Sequence, residues 1–377
     1  MRRFALIIIL LNLLPSFAQN DIKSPLQAQD PLLQKQWVDS IYATLSTQER
    51  IAQLFMVQIM SADNADVNNK YFRLVNEYGI GGIIYSKGGP MRQAKLNNKL
   101  QAVSKVPMLI GMDAEWGLSM RLDSTYAFPW NMTLGAISDN DLIERTGKHI
   151  GEHCKRLGVH FNFAPVADIN TNPKNPIIGN RSFGEDRDNV TAKGLAFMKG
   201  MQSAGVLANA KHFPGHGDTE DDSHKTLPTV SFSEQRIDSV ELHPYRSLIK
   251  DGLSSVMVAH LNVPSLEKRR GFPSSLSKHI VTDILKEELG FKGLIFTDAL
   301  TMKGAADYIE KDIDGINKNS VRTGGEIDLM AFLAGNDVML MSENPVYGIE
   351  RFVEAYNEGV ISEQRLEHSV KKILMAK

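Results

Sequence analysis

GLIFTDAL, residues 293 to 300, sets three consecutive apolar residues, Leu294, Ile295 and Phe296, against a lone carboxylate, Asp298. An apolar run without polar alternation belongs to a strand covered on both faces, as in a parallel sheet packed under helices. Seven other stretches share this grain: LFMVQI (54–59), GIGGIIYS (79–86), VPMLIGMD (106–113), VHFNFAPVAD (159–168), VLANAKH (206–212), SSVMVAHL (254–261) and DVMLMS (337–342). Helical patterns lie between them. In SKHIVTDILKEELG (277–290), Ser277 is placed to cap a helix, Ile280, Ile284, Leu285 and Leu289 line one face, and Gly290 ends it. Another helix, beginning near Ser138, carries Ile143, Ile150, Cys154 and Leu157 on one stripe, which makes the sole cysteine a core residue. Eight strand and helix alternations predict a (β/α)8 barrel in a single domain. A doubly wound open sheet has the same local pattern; the barrel is preferred.

Residues 1–18, MRRFALIIILLNLLPSFA, have the two basic residues, short apolar run and small-residue end of a signal peptide. Export, to the periplasm or beyond the cell, is the expectation. The remainder, about 359 residues, carries a formal charge of −4 once Arg2 and Arg3 are removed from a total of −2. Acids and bases are interspersed, which argues against nucleic acid as a partner. No later segment is apolar enough to predict a membrane span, and one cysteine permits no intrachain disulfide. Residues 19–45 read as an amphipathic leader on the outside of a barrel domain over 46–377. A monomer is expected.

In a barrel of this kind the chemistry sits at the C-terminal ends of the strands. Those ends carry Asp113, Asp168, Lys211 with His212, His260 and Asp298. A lone carboxylate ending an apolar strand, as at Asp298, suits a nucleophile or base. After the fifth strand comes KHFPGHGDTEDDSHKTLP (211–228), in which Pro214, Gly215, Gly217 and Pro228 preclude a regular helix and predict a long loop over the rim. His212 and His216 have the i, i+4 spacing of a zinc helix, but without that helix the rings are not brought together, and neither a metal nor another cofactor is expected. Asp222, Ser223 and His224 are consecutive and cannot converge as a Ser-His-Asp triad. In an extended loop Asp222 and His224 project to the same side, so the carboxylate can fix one ring nitrogen and leave the other for proton transfer. Arg121 in DAEWGLSMR and Arg181 in IIGNRSFGED complete a polar set with Asp113 and Lys211 able to clasp hydroxyls or to form ordinary ion pairs. Trp116 and Trp130 are both available to stack on a sugar ring, although core is the preferred reading of Trp130 in FPWNMTLGA.

From about residue 47 onward, the sequence resembles glycoside hydrolase family 3, and specifically its β-N-acetylglucosaminidase branch. The resemblance rests on DAEWG, FNFAPVADI, NRSFGED, KHFPGHGDTEDDSHKTLP and FTDAL. It implies Asp298 as nucleophile, His224 as acid/base and Asp222 as its partner, with Asp113, Arg121, Arg181, Lys211 and His212 in the sugar-binding positions. One departure is Trp116, where family members usually have glycine. The implied reaction is the retaining, exo-acting release of terminal β-linked N-acetylglucosamine through a covalent intermediate. Phosphorolysis, β-glucosidase activity on the same scaffold, assistance by the acetamido group, a metal-dependent hydrolase and a non-catalytic glycan-binding protein are the competing readings.

Overall fold

The structure, a computed structural model, describes residues 24–61, 65–223, 225–305, 308 and 322–377. The segment read as a signal peptide lies outside these residues, as does His224. Eight parallel strands are present: β1 (Phe55–Met60), β2 (Gly82–Lys87), β3 (Leu109–Met112), β4 (Phe161–Asn162), β5 (Leu207–Phe213), β6 (Ser255–Val258), β7 (Leu294–Thr297) and β8 (Met339–Leu340). Each falls on one of the eight apolar runs. They pair in the order β7-β6-β5-β4-β3-β2-β1-β8, and a parallel bridge from Phe296 to Val338 brings β7 round to β8. That bridge, backed by the Thr297 amide donating to the Val338 carbonyl, distinguishes a barrel from an open sheet. The fold is a (β/α)8 barrel.

β4 is only two residues long because Pro165 has no amide to donate to the ladder. Pairing with β5 resumes beyond it, at Val166 opposite Lys211. Inside the barrel, Phe296 meets the edges of Phe161 and Phe163 at ring-centre distances of 5.2 and 5.3 Å. All three rings are fully buried, each contributing about 2–3 kcal/mol through burial. Truncating Phe296 to alanine would cost about 3–5 kcal/mol.

The outer helices hold the strands in place. Cys154 is buried on the helix Asn140–Arg156 among Ile143 and Ile150, and burial pushes its thiol up to about 12, so it behaves as a small hydrophobe. The helix after β6 differs from the expected α-helix. Residues His279–Glu288 wind in wide π turns, and the Leu289 amide donates to Ile284 five residues back. The buried face is therefore Ile280, Val281, Ile284 and Leu285, with Leu289 displaced to half-burial. The Ser277 hydroxyl accepts from the Ile280 amide as expected, and Gly290, at φ +66°, turns the chain out of the helix. At the N-terminal side, the helix Pro31–Thr44 is capped by Asp30, buries Val38 and Tyr42, and packs on the terminal helix Glu363–Ala376 through a Tyr42–Glu363 hydrogen bond of 2.8 Å. Among the described residues no helix is long and apolar enough to cross a membrane.

Candidate functional site

Asp113, Lys211, His212 and Asp298 stand at or just beyond the C-terminal ends of β3, β5 and β7 and line one cavity of about 470 Å³. Arg121 and Arg181 reach the same cavity from single 3₁₀ turns, Leu118–Met120 and Gly179–Arg181. Six of the eight residues given roles by the resemblance thus converge. Lys211 and His212 are neighbours on β5, where a regular strand would send them to opposite faces; the peptide between them is cis and both side chains reach the mouth.

The polar wall is an alternating chain of charges. Arg121 Nη2 lies 2.6 Å from one oxygen of Asp113, and Lys211 Nζ lies 2.8 Å from the other. Burial alone would raise the Asp113 carboxyl, but the Lys211 and Arg121 cations outweigh it and hold the group well below the usual carboxylate range. Lys211 Nζ also lies 2.7 Å from Glu115. Glu115 in turn accepts from Arg181 Nε at 3.0 Å and Nη2 at 2.8 Å. Its fully buried carboxyl is pulled down to about 2 because Arg181 and Lys211 overcome the cost of burial. Glu115 was not assigned a role from the sequence. The signal was present, because in extended chain it projects on the same side as Asp113, two residues earlier.

Arg181 Nη2 also lies 3.3 Å from His212 Nε2. A guanidinium can only donate, so whenever the ring is neutral Nε2 is the acceptor and Nδ1 carries the proton. That proton is directed at Asp168, 2.6 Å away. Asp168 is buried, and it also accepts from the backbone amides of His212 and His216. Burial would raise its carboxyl, yet the neighbouring His212 and these donors lower it. Asp168 stands behind the cavity lining rather than in it, and its side-chain partner is His212.

Asp298 faces this wall. Its amide is fixed by the Val258 carbonyl at 2.8 Å, and one carboxylate oxygen accepts from the Ala299 amide, also at 2.8 Å. His260 is buried and supports that turn, with Nε2 3.1 Å from the Ala299 carbonyl and Nδ1 2.6 Å from the Ser275 hydroxyl. The Asp298 carboxyl is lowered: burial opposes ionisation, but His212, His260, the Ala299 amide and Lys211 favour it. An ionised, half-buried carboxylate therefore stands in the lining of the cavity.

The loop after β5 is tied down at its base. Burial pushes His216 down to about 4 with His212 adding to the effect, so its ring is neutral at physiological pH. Its two nitrogens lie 2.7 Å from the Thr219 hydroxyl and 3.0 Å from the Ser223 hydroxyl. His212 and His216 have ring centres 5.9 Å apart but are committed to different partners, and among the described residues no group of three His, Cys, Asp or Glu side chains is arranged to hold a metal ion. Gly217 lets the loop touch the strand-4 segment, since a Cβ there would stand 1.9 Å from the Ile169 carbonyl oxygen. Asp222 has Lys225 Nζ at 3.6 Å; the expected pairing of Asp222 with His224 falls outside the described residues.

One assignment is corrected. Trp130 is 44% exposed, not core, and packs against Trp116 with ring centres 4.1 Å apart and planes tilted by 39°. Its short apolar context is used instead by Asn131, whose side chain turns inward and donates to the Arg181 carbonyl at 2.7 Å.

Fold and site together define a (β/α)8-barrel protein with a carboxylate- and guanidinium-lined mouth suited to a small polyhydroxylated ligand. The family description "Glycosyl hydrolase family 3 N terminal domain" matches residues 46–376, and the chain belongs to this family. It is similar to a protein of Pseudoalteromonas piscicida named beta-hexosaminidase A, 32% identical over 332 residues covering 81% of this chain and 54% of that one. The structure is similar to that of a glycoside hydrolase family 3 β-N-acetylglucosaminidase from Paenibacillus sp. str. FPU-7, with TM-score 0.80 and 36% identity, covering 89% of this chain and 62% of that one. It is also similar to a β-glucoside phosphorylase bound to 2FGlc, with TM-score 0.83 and 26% identity, covering 92% and 61% of the two chains. The chain thus spans a little over half the length of the curated relative.

Proposed function

We propose that this chain is a retaining, exo-acting β-N-acetylglucosaminidase. The observation that carries the reading is that an ionised Asp298 shares one cavity of about 470 Å³ with a wall of Asp113, Arg121, Lys211 and Arg181. Such a wall offers fixed donors and acceptors to the hydroxyls of one sugar ring and orients its anomeric carbon toward Asp298. The carboxylate attacks that carbon, the bond to the leaving oxygen breaks, and a glycosyl ester forms; water then cleaves the ester. His224, with Asp222 as partner, donates the proton to the leaving oxygen and later takes one from water. That assignment comes from the resemblance of the loop motif. Relatives named for hexosaminidase activity support N-acetylglucosamine as the sugar. The leader-like N-terminus suggests an exported enzyme acting on peptidoglycan- or chitin-type glycans.

Asp298→Ala is the test. Release from an aryl N-acetyl-β-glucosaminide should fall on the order of 10⁴-fold or more, while calorimetric binding of N-acetylglucosamine persists. A 2-fluoro sugar should accumulate on Asp298 of the unaltered protein. Inhibition by a thiazoline mimic without labelling would favour acetamido assistance, and loss of activity with a strong chelator would favour a metal-dependent hydrolase.

A second reading is phosphorolysis, favoured by the similarity to a β-glucoside phosphorylase. A neutral imidazole as acid/base repels an incoming phosphate less than a carboxylate does. Sugar 1-phosphate among the products in phosphate buffer would establish it; identical free-sugar yields with and without phosphate would remove it.

A further inference from the structure

His260, just beyond the end of β6, is a polar strand end with no part in the sugar-binding wall: it has no solvent exposure and does not line the cavity. An apolar side chain would occupy such a place at lower cost, because a buried imidazole needs a partner for each ring nitrogen. Both nitrogens have one. Nε2 lies 3.1 Å from the Ala299 carbonyl, which can only accept, so Nε2 carries a proton. Nδ1 lies 2.6 Å from the hydroxyl of Ser275, on the 3₁₀ turn Ser274–Leu276. That turn is tied to the same chain end twice more: the Ser274 hydroxyl donates to the Ala259 carbonyl at 2.6 Å and accepts from the Leu261 amide at 3.1 Å. The Asn336 side chain donates to the Ser275 carbonyl at 2.8 Å. The ring is thus held from behind, with its Nε2 proton directed at Ala299.

What it holds is the residue that orients Asp298. The Ala299 amide donates to Oδ1 of Asp298 at 2.8 Å, and among the described residues Oδ2 accepts no hydrogen bond. Ala299 lies past the end of β7, where the imidazole supplies its carbonyl's partner. The Ala299–Leu300 peptide is therefore clamped at both ends, its carbonyl by His260 and its amide by the Leu340 carbonyl on β8 at 3.0 Å. His260 also favours the ionised form of Asp298.

We propose that His260 is a positioning residue for the nucleophile: through Ala299 it holds Oδ1 of Asp298 in place and so presents Oδ2 to the anomeric carbon. The inference rests on the glycosidase reading above. It makes β6 and β8, the two neighbours of β7, responsible for aiming the carboxylate, separately from the wall that holds the sugar.

The test reads attack by Asp298 apart from sugar binding and from proton donation. The probe is a 5-fluoro N-acetyl-β-glucosaminyl fluoride. Asp298 Oδ2 forms a bond to its anomeric carbon, the carbon–fluorine bond breaks, and fluoride leaves with the electron pair and needs no proton. Intact mass follows the labelling of Asp298, and calorimetry gives the affinity for N-acetylglucosamine. His260→Leu removes both hydrogen bonds and should label about 100-fold more slowly, the loss expected of a misplaced reacting group, with affinity held within about twofold. His260→Gln, whose amide can donate to the Ala299 carbonyl, should recover at least about tenfold of that rate. Ser275→Ala leaves the imidazole in place, frees Nδ1 alone and should also slow labelling, which keeps the test open if the leucine variant fails to fold. Labelling and affinity that fall together, a glutamine variant no faster than the leucine one, or unchanged labelling in Ser275→Ala would overturn the positioning role and leave the glycosidase reading intact. Unaltered protein that releases an aryl N-acetyl-β-glucosaminide without being labelled would overturn Asp298 as nucleophile and this role with it. Unaltered protein that does neither would overturn the glycosidase reading itself.

Discussion

Glu115 grips Arg181 with two near-parallel hydrogen bonds, 3.0 and 2.8 Å, from a position with no solvent exposure. The same carboxylate also holds Lys211, so a single anion fixes two of the cations that face the cavity. Glu115 touches Arg181 and Lys211 rather than the cavity, which makes it a positioning residue.

Glu115→Gln preserves shape and removes the charge, leaving Arg181 and Lys211 without their shared buried counter-ion. Breaking a buried pair in this way costs about 3–5 kcal/mol, to be read from denaturant unfolding. Misplacement of the two cations should also lower kcat/KM roughly 100-fold. Glu115→Asp, which restores the charge on a shorter stem, should recover part of both. An unchanged unfolding midpoint for the glutamine variant would show that the pair is not a structural anchor.

His216 links stability to acid. In the unfolded chain its ring takes up a proton near pH 6.5, whereas in the folded state burial delays protonation to about 4. Between these values the unfolded state binds more protons, so stability falls as the pH drops from about 6.5 to 4 and levels off below. At 1.36 kcal/mol per pKa unit, the loss is about 3 kcal/mol. His216→Asn should be destabilised at pH 7, where the ring's bonds to Thr219 and Ser223 are lost, and should approach the unaltered protein near pH 4. A constant difference across this range would contradict a neutral buried ring.

Asp328 carries the opposite slope. It is fully buried on the helix Arg322–Ala334, where it accepts from the Ser342 hydroxyl at 2.6 Å. Burial pushes its carboxyl up to about 8; the Ser342 bond opposes this and Glu343 adds to it. The unfolded carboxyl ionises near 4, so here the folded state binds more protons, and stability falls as the pH rises from about 4 to 8. Asp328→Asn removes the titration. Its melting temperature should gain on that of the unaltered protein as the pH is raised through this window, by several degrees at pH 8 relative to pH 4. Parallel curves would refute the raised carboxyl.

The eight strands were legible because each is buried on both faces and therefore spelled as an unbroken apolar run. What the sequence left open was set by contacts distant along the chain. Closure of the barrel depends on Phe296 meeting Val338, and no local pattern distinguishes that bridge from an open edge. Asp113, Lys211 and Asp298 were legible because a polar side chain ending an apolar strand has few other reasons to be there. Glu115 and the His212–Asp168 pair become visible only when β3, β4 and β5 are laid side by side. Trp130 misled because an aromatic residue between Pro129 and Asn131 has the composition of core, while its packing partner, Trp116, lies fourteen residues earlier and outside the barrel wall.

Asp168 binds two backbone amides and one imidazole at the point where β5 gives way to its loop. The attachment resembles a socket: the chain up to His216 is seated by it, and Thr219 and Ser223 are moored in turn by the His216 ring. Reshaping the exposed turn at Glu220 and Asp221 should therefore leave the floor formed by Asp113, Lys211 and Arg181 undisturbed.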